Sequence, residues 1–275
     1  MTLPRDWTEL HWPAFGTSTS GTPEAARWIA VLPLAATEQH GPHLPLGTDV
    51  YIASAYLARV RTLLPATLPV TILPVQPVGI STEHIDYPGT LTVPTEIALQ
   101  SWRAIGDSVA RAGLRKLVIV TSHGGNSAAM TLVAQELRAV HRMLVVTTSW
   151  SRFGVPDGLF SADEMCHGIH GGAVETSIML ACHPELVRSE AIADFASSAA
   201  EMEKTHRVLS TQRPAPLAWQ TQDLNASGAV GDATQASAEK GERVLAHGAR
   251  AFCTLLEEVG HFDVNRLAAG PLARL

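Results

Sequence analysis

The chain has 275 residues, enough for one large domain with a substantial buried core. Apolar residues make up 46% and charged residues 17%, a globular balance, and a net charge of -6 with no basic run excludes nucleic acid or an anionic membrane as an electrostatic partner. No stretch reaches the roughly 18 to 20 uninterrupted apolar residues of a membrane helix, so no membrane partner is expected by that route either.

The opening stretch MTLPRDWTELHWPAF lacks the apolar run of a secretory signal, and the cysteines Cys166, Cys182 and Cys253 are odd in number and far apart. Both features predict a reduced, cytoplasmic protein. Residues 28–36 form a continuous apolar run, too short for a helix, which predicts a strand buried on both faces. Over 49–64 apolar residues recur at helical spacing, with Asp49 near the first turn. A strand follows over 70–75, then a helix over 96–112 that Pro94 and Thr95 begin and Gly113 ends. The pattern repeats with a strand over 116–121, a helix over 126–140 and a strand over 143–149. A further helix is predicted from about Gly172 to before Pro184, and a long one over 236–259. Residues 213–234, rich in Pro, Gly, Asn and Gln, read as a loop that closes over a site or meets a neighbouring subunit.

Strand and helix in alternation predict an α/β fold with a mainly parallel sheet, and no internal repeat or composition break divides the chain, so residues 1–275 are expected to form one domain. Ligands of such sheets bind beyond the carboxyl ends of the strands. Two polar clusters fall there: Glu38-Gln39-His40 after the first strand, and Ser122-His123-Gly124-Gly125-Asn126 after the 116–121 strand.

The most informative stretch is TEQHGPHLPLGTD at 37–49. Glu38 and His40 are two apart and share a side of an extended chain. Gly41, Pro42, Pro45 and Gly47 fold the chain back, which can return Asp49 to the same spot. Such oxygen and nitrogen donors suit Zn, Mn or Fe, although a solvated strand end would use the same residue types. His123 ends a buried strand and is followed by two glycines that permit close backbone approach; it is either a further ligand or a histidine hydrogen-bonded at the sheet edge. In HGGAVETS, at 170–177, Glu175 lies near a helix start, either as a dipole-stabilising surface carboxylate or as an inward-facing ligand, and His170 precedes it by five residues. Three carboxylates (Glu38, Asp49, Glu175) and one hydroxide would balance two divalent cations, while a single zinc with three ligands would also suffice chemically.

TEQHGPHLPLGTD, the HGGN after a strand and HGG-x-x-ETS together resemble the creatininase (creatinine amidohydrolase) family over roughly residues 25–260. The resemblance implies a three-layer α/β/α sandwich, a two-metal centre, a hexamer built as a trimer of dimers, and hydrolysis of cyclic amides, formamides or, in one branch, a peptide bond. It further implies that Glu38, Asp49 and His123 bind one ion while His40 and Asp49 bind the other, Asp49 bridging. Creatininase proper takes its fifth ligand two residues after the strand-end histidine, where this chain has Gly125, and Glu175 is the expected replacement. A tryptophan gate stands four residues before the family's catalytic histidine; Cys166 is found there, which turns the expectation away from creatinine itself. His170 matches that histidine and is expected to protonate the departing nitrogen. The EH-x-x-YPGT stretch resembles a loop of the deformylase-like and peptidase-like branches, so Glu83 and His84 are expected to face the substrate beside Gly124 and Gly125.

The expected activity is therefore hydrolysis of a C–N bond in a small amide. The alternatives are a peptidase of the same family and, from another class, a non-catalytic metal-binding scaffold. A serine hydrolase is excluded by the lack of any G-x-S-x-G, and a phosphate-binding loop by the lack of G-x-x-x-x-G-K-[ST]. Cys166 beside His167 offers a nucleophile without a third, orienting group.

Overall fold

The computed structural model describes residues 3–16, 22, 24–212, 214–267 and 270. Both ends of the 1–275 span, and Arg213 at the start of the 213–234 segment, lie outside the described residues. The main sheet has four parallel strands in the order β2-β1-β3-β4, where β1 is Ile29–Leu34, β2 Val70–Ile72, β3 Lys116–Thr121 and β4 Leu144–Ser149. Ile29 stands opposite both Val70 and Lys116, and Lys116 opposite Leu144.

All residues of β1 and β3 are buried, as strands covered on both faces must be. Their alternation divides the core in two. Ile29, Val31, Val118 and Val120 pack with α1 (Thr48–Leu63), α5 (Ala173–Cys182) and α8 (Ala238–His261). Ala30, Leu32, Leu34, Leu117 and Ile119 pack with α2 (Thr95–Arg111) and α3 (Ser127–His141) on the other face. The molecule is the α/β sandwich that the sequence predicts. Gly113 ends α2 with φ 93°, a conformation open to glycine and strained for most residues.

The strand expected over 70–75 stops at Ile72. Pro74 has no N–H to donate, and pairing resumes only as a single bridge between Leu34 and Gln76. Pro33 sits in the central strand for a related reason. Its carbonyl accepts from Gln76 on the β2 side, so the missing N–H falls where β2 has already ended.

Several short elements follow that the sequence reading did not foresee: α4 (Ala162–His167), α6 (Ala199–Thr205) and α7 (Thr221–Leu224), with β5 (Asp194–Phe195) pairing β8 (Gly231–Asp232) and β6 (Leu209–Ser210) pairing β7 (Ala215–Pro216). They turn the expected 213–234 loop into a cover over the carboxyl ends of the strands. Val230 exchanges backbone hydrogen bonds with His170, Gly228 accepts from the Gln39 amide, and the Thr221 hydroxyl donates to the Glu83 carbonyl. Among the described residues, no helix is long and apolar enough to cross a membrane.

Candidate metal centre

The chain leaves β1 at Leu34 and reaches Glu38 and His40 within one turn of the TEQHGPHLPLGTD stretch. It then folds back so that Asp49 enters the first turn of α1. β3 ends just before His123, and α5 starts just before Glu175. Five donors therefore arrive from four places. Glu38, Asp49 and His123 form one group whose ligating atoms all lie within 4.8 Å of one another, and His40, Asp49 and Glu175 form a second. Asp49 belongs to both. Its Oδ2 is 3.8 Å from His40 Nε2 and 3.8 Å from His123 Nδ1, while His40 Nε2 is 3.9 Å from Glu175 Oε2.

The partners of each imidazole orient it. His40 Nδ1 donates to the Glu38 carbonyl at 3.0 Å, leaving Nε2 to face the carboxylates. His123 Nε2 donates to the Ile80 carbonyl at 2.7 Å, leaving Nδ1 3.0 Å from Glu38 Oε1 without hydrogen-bond alignment. Backbone carbonyls that fix a ring in this way are the usual support of a metal-ligating histidine.

Both Glu38 carboxylate oxygens, His40 Nε2 and Asp49 Oδ2 are buried without a hydrogen-bond partner. Each orphaned buried polar group costs about 1–3 kcal/mol, and more when charged. Four of them converging on one place call for a compensating cation. Electrostatics agree. Burial and then the Glu38 charge raise the Asp49 carboxyl well above its usual range. Burial would raise Glu38 as well, but His123, His84 and His40 outweigh it and hold it low. Burial opposes a charge on His123, yet Glu38, Asp49 and Glu83 together push it up to about 10. The carboxylates thus draw a proton onto His123, the charge a metal ion would otherwise supply, while burial keeps His40 neutral, and the donor set fits divalent cations.

His170 lies beside both groups. Its Nε2 donates to the Gln39 carbonyl at 2.7 Å, its Nδ1 is 3.9 Å from Glu38 Oε1, and its ring lies 4.2 Å from those of His40 and His84. Burial, with His40 alongside, pushes it down to about 4, so it is neutral with an acceptor facing the carboxylates.

A cavity of about 480 Å³ opens next to this centre. His170, Glu175 and Gly124 line its polar side, and Tyr56, Trp150 and Val244 its apolar side. Tyr56 and Trp150 stack there at 4.3 Å. The other three residues expected at the substrate are placed differently. Glu83 and Gly125 stand at the Nε2 edge of His123, with Glu83 Oε1 3.5 Å from that nitrogen. His84 is buried, with Nε2 3.3 Å from Glu38 Oε1. Cys166 is exposed; burial and then the Glu203 and Asp163 carboxylates hold its thiol above the usual range, the opposite of an activated nucleophile.

Three further residues support the centre: Gln39 and Asn126, which the sequence places in the polar clusters without a role of their own, and Glu164, which it does not single out. The Gln39 amide donates to His84 Nδ1 at 2.7 Å and to the Gly228 carbonyl at 2.8 Å, tying the cover to the site. Its position between Glu38 and His40 was the available signal. Asn126 joins three segments, donating to the Ala35 carbonyl and Thr121 Oγ1 and accepting from the Ile80 N–H. Glu164 on α4 accepts from the N–H groups of Ala173 and Asp232, each at 2.6 Å, and so anchors the start of α5. A Cβ at Gly168 or Gly172 would run into its carboxylate, and one at Gly231 would strike the Gly168 and Gly172 backbone beside it. These glycines are scattered along the chain, and only folding shows what they surround.

Comparison with known proteins identifies the class. The profile of the creatininase family, described as creatinine amidohydrolase, matches residues 8–256. The mycofactocin precursor peptide peptidase of Mycobacterium tuberculosis (strain ATCC 25618 / H37Rv) is 33% identical over 237 residues, covering 84% of this chain and 85% of that one. Creatinine amidohydrolase of Pseudomonas putida is 28% identical, covering 79% and 84%. A solved creatininase superimposes with a TM-score of 0.74 at 26% identity, covering 94% of this chain and 99% of its own. This chain belongs to the creatininase family, whose members are hydrolases.

Proposed function

We propose that this protein is a metal-dependent hydrolase of an amide bond, in which Glu38, Asp49 and His123 would hold one divalent cation and His40, Asp49 and Glu175 a second. The observation that carries this reading is the pair of buried donor groups meeting at Asp49, with four of their atoms unpartnered. Zinc, manganese or iron suits such donors, and solved creatininases include a manganese form and a zinc–zinc form. Bound there, the ions would lower the pKa of a shared water and polarise the amide carbonyl. The chain's own groups do the rest. His40 and His123 are held in the ligating tautomer by backbone carbonyls. His170 accepts a proton at Nδ1 and returns it to the departing nitrogen, which leaves poorly as an anion. Gly124 keeps the cavity open beside it, and Tyr56 and Trp150 seat an apolar part of the substrate.

A peptide bond in a short peptide is the favoured substrate, supported by the peptidase named among the relatives and by Gly125 and Cys166 standing where creatininase proper has glutamate and tryptophan. A small cyclic amide or formamide is the second reading, supported by the amidohydrolase relative and by a cavity of small-molecule size. The homo-oligomer implied by the family belongs to the same proposal, supported by the exposed Leu46, Ile85 and Leu91; a monomeric mass in solution would count against it.

The test is a panel of short peptides, formamides, lactams and creatinine, assayed before and after chelation. Turnover should vanish on chelation and return with zinc or manganese. Chelator-insensitive turnover would sink the metal mechanism, and a metal-loaded protein inert on the whole panel would favour a non-catalytic metal-binding scaffold.

A further inference from the structure

A second set of metal-ligating side chains lies outside this centre. Asp163, Cys166 and His167 occupy positions i, i+3 and i+4 of α4, the spacing that places side chains on one helical face. Glu203 on α6 faces them. The Cys166, His167 and Glu203 ligating atoms lie within 4.8 Å of one another, with His167 Nε2 3.6 Å from Glu203 Oε2 and 3.8 Å from Asp163 Oδ1. We propose that Asp163, Cys166, His167 and Glu203 form a separate mononuclear site for zinc or a similar borderline-soft cation, clamping α4 to α6 at the rim of the cavity.

The donor set is one sulfur, one nitrogen and two oxygens, the mixture zinc accepts in tetrahedral coordination. Tetrahedral zinc keeps its ligand atoms about 3.3–3.8 Å apart, so the Cys166, His167 and Glu203 atoms have to close by at most about 1.5 Å, and Asp163 joins them from its place 3.8 Å from His167 Nε2. Asp163 and Glu203 are exposed enough to swing, with side chains 87% and 52% accessible, while His167 is held at 14%. The two carboxylates that disfavour a thiolate at Cys166 make the same place attractive to a cation. α4 is a firm platform despite its length, because Ser161 caps it and Glu164 is anchored to Ala173 and Asp232.

The position relates this site to the first. Met165 and Gly168, on either side of the Cys166–His167 pair, line the cavity, as does Gln212, whose amide donates to the Cys166 carbonyl at 3.0 Å. A cation held here would join α4 to α6 and fix one wall of the opening. Four donors from the protein leave no open coordination position, so the site is structural or regulatory and not hydrolytic.

The experiment titrates cobalt(II) into the purified protein already loaded with its catalytic metals and records the thiolate-to-cobalt charge-transfer band. No donor of the first centre is a thiolate, so the band reports a cysteine outside it whatever becomes of the amidohydrolase reading, and the Cys166→Ser variant separates Cys166 from Cys182 and Cys253. One further equivalent per subunit should bind at micromolar cobalt with the band at full strength, and zinc should displace it. Cys166→Ser should abolish the band, and Glu203→Gln should weaken binding roughly tenfold or more, while the first centre keeps its metals. No band, a band that survives Cys166→Ser, or one that needs millimolar cobalt would overturn the proposal.

Discussion

Replacing Asp49 with alanine is expected to empty both cation positions at once and to lower kcat/KM by at least ~10³-fold, the equivalent of about 4 kcal/mol of transition-state stabilisation. Asp49 alone among the five donors belongs to both groups, so under the proposed two-ion arrangement its loss would remove a donor from each. Elemental analysis should show metal falling to well below one ion per subunit. Asp49→Asn sharpens the test by keeping the side chain's shape. In the metal-free protein the buried Asp49 carboxyl sits well above its usual range. A carboxyl whose folded pKa exceeds its unfolded one binds more protons when folded, so stability declines as pH climbs from about 4 through the folded value. The asparagine variant lacks that slope. Near neutral pH it should be at least as stable as the metal-free parent while being inactive. Retention of two tightly bound ions by either variant would refute the bridging role.

His170→Gln is expected to keep the metal and still lose roughly 10²-fold or more in kcat. The ring is fixed by its Nε2 bond to the Gln39 carbonyl and presents Nδ1 toward Glu38 without being part of either group built on Asp49. KM should change little, because the ring's part is in moving a proton and not in gripping the ground-state substrate. The pH profile should lose one limb. His170 also forms a ligating group with Glu38 and His40, so metal content decides between two roles for the same atoms. A variant that loses an ion would make His170 a ligand, and an unchanged rate would mean that the proton comes from elsewhere.

The parts legible in the sequence were those in which one stretch of chain carries its own pattern. KLVIVT could only be a buried strand, and α1, α2 and α8 each announce an apolar stripe at helical spacing. The donors were legible because Glu38, His40 and Asp49 share one motif and because His123 and Glu175 sit beside glycines at element ends. What stayed hidden is whatever exists only between distant stretches. Two-residue strands such as β5 and β8 carry no periodicity. Glu164 and the three glycines around it are spread over 164–231, and nothing local marks them as one construction. Asp163, Cys166 and His167 are adjacent in the chain, but Glu203 becomes their neighbour only once α6 has folded against α4. The placements of Glu83 and His84 were hidden for the same reason, because the course of the 79–93 loop depends on Asn126 holding the Ile80 N–H.

Gly125 sets a condition on how such centres can change over evolutionary time. Its Cβ would lie 2.5 Å from the Ile80 carbonyl oxygen and 2.6 Å from Glu83 Oε1, and it would also strike the His123 ring. Ile80 is the very group that fixes the tautomer of His123. Installing a carboxylate donor at this position therefore disturbs His123, one of the proposed donors, before it supplies a new one. A lineage that completes its second ion with Glu175 can reach the other solution only by moving two distant segments together, and each single step passes through a damaged catalyst. The source of the fifth donor should thus be inherited as a fixed trait of a branch, and rarely revert.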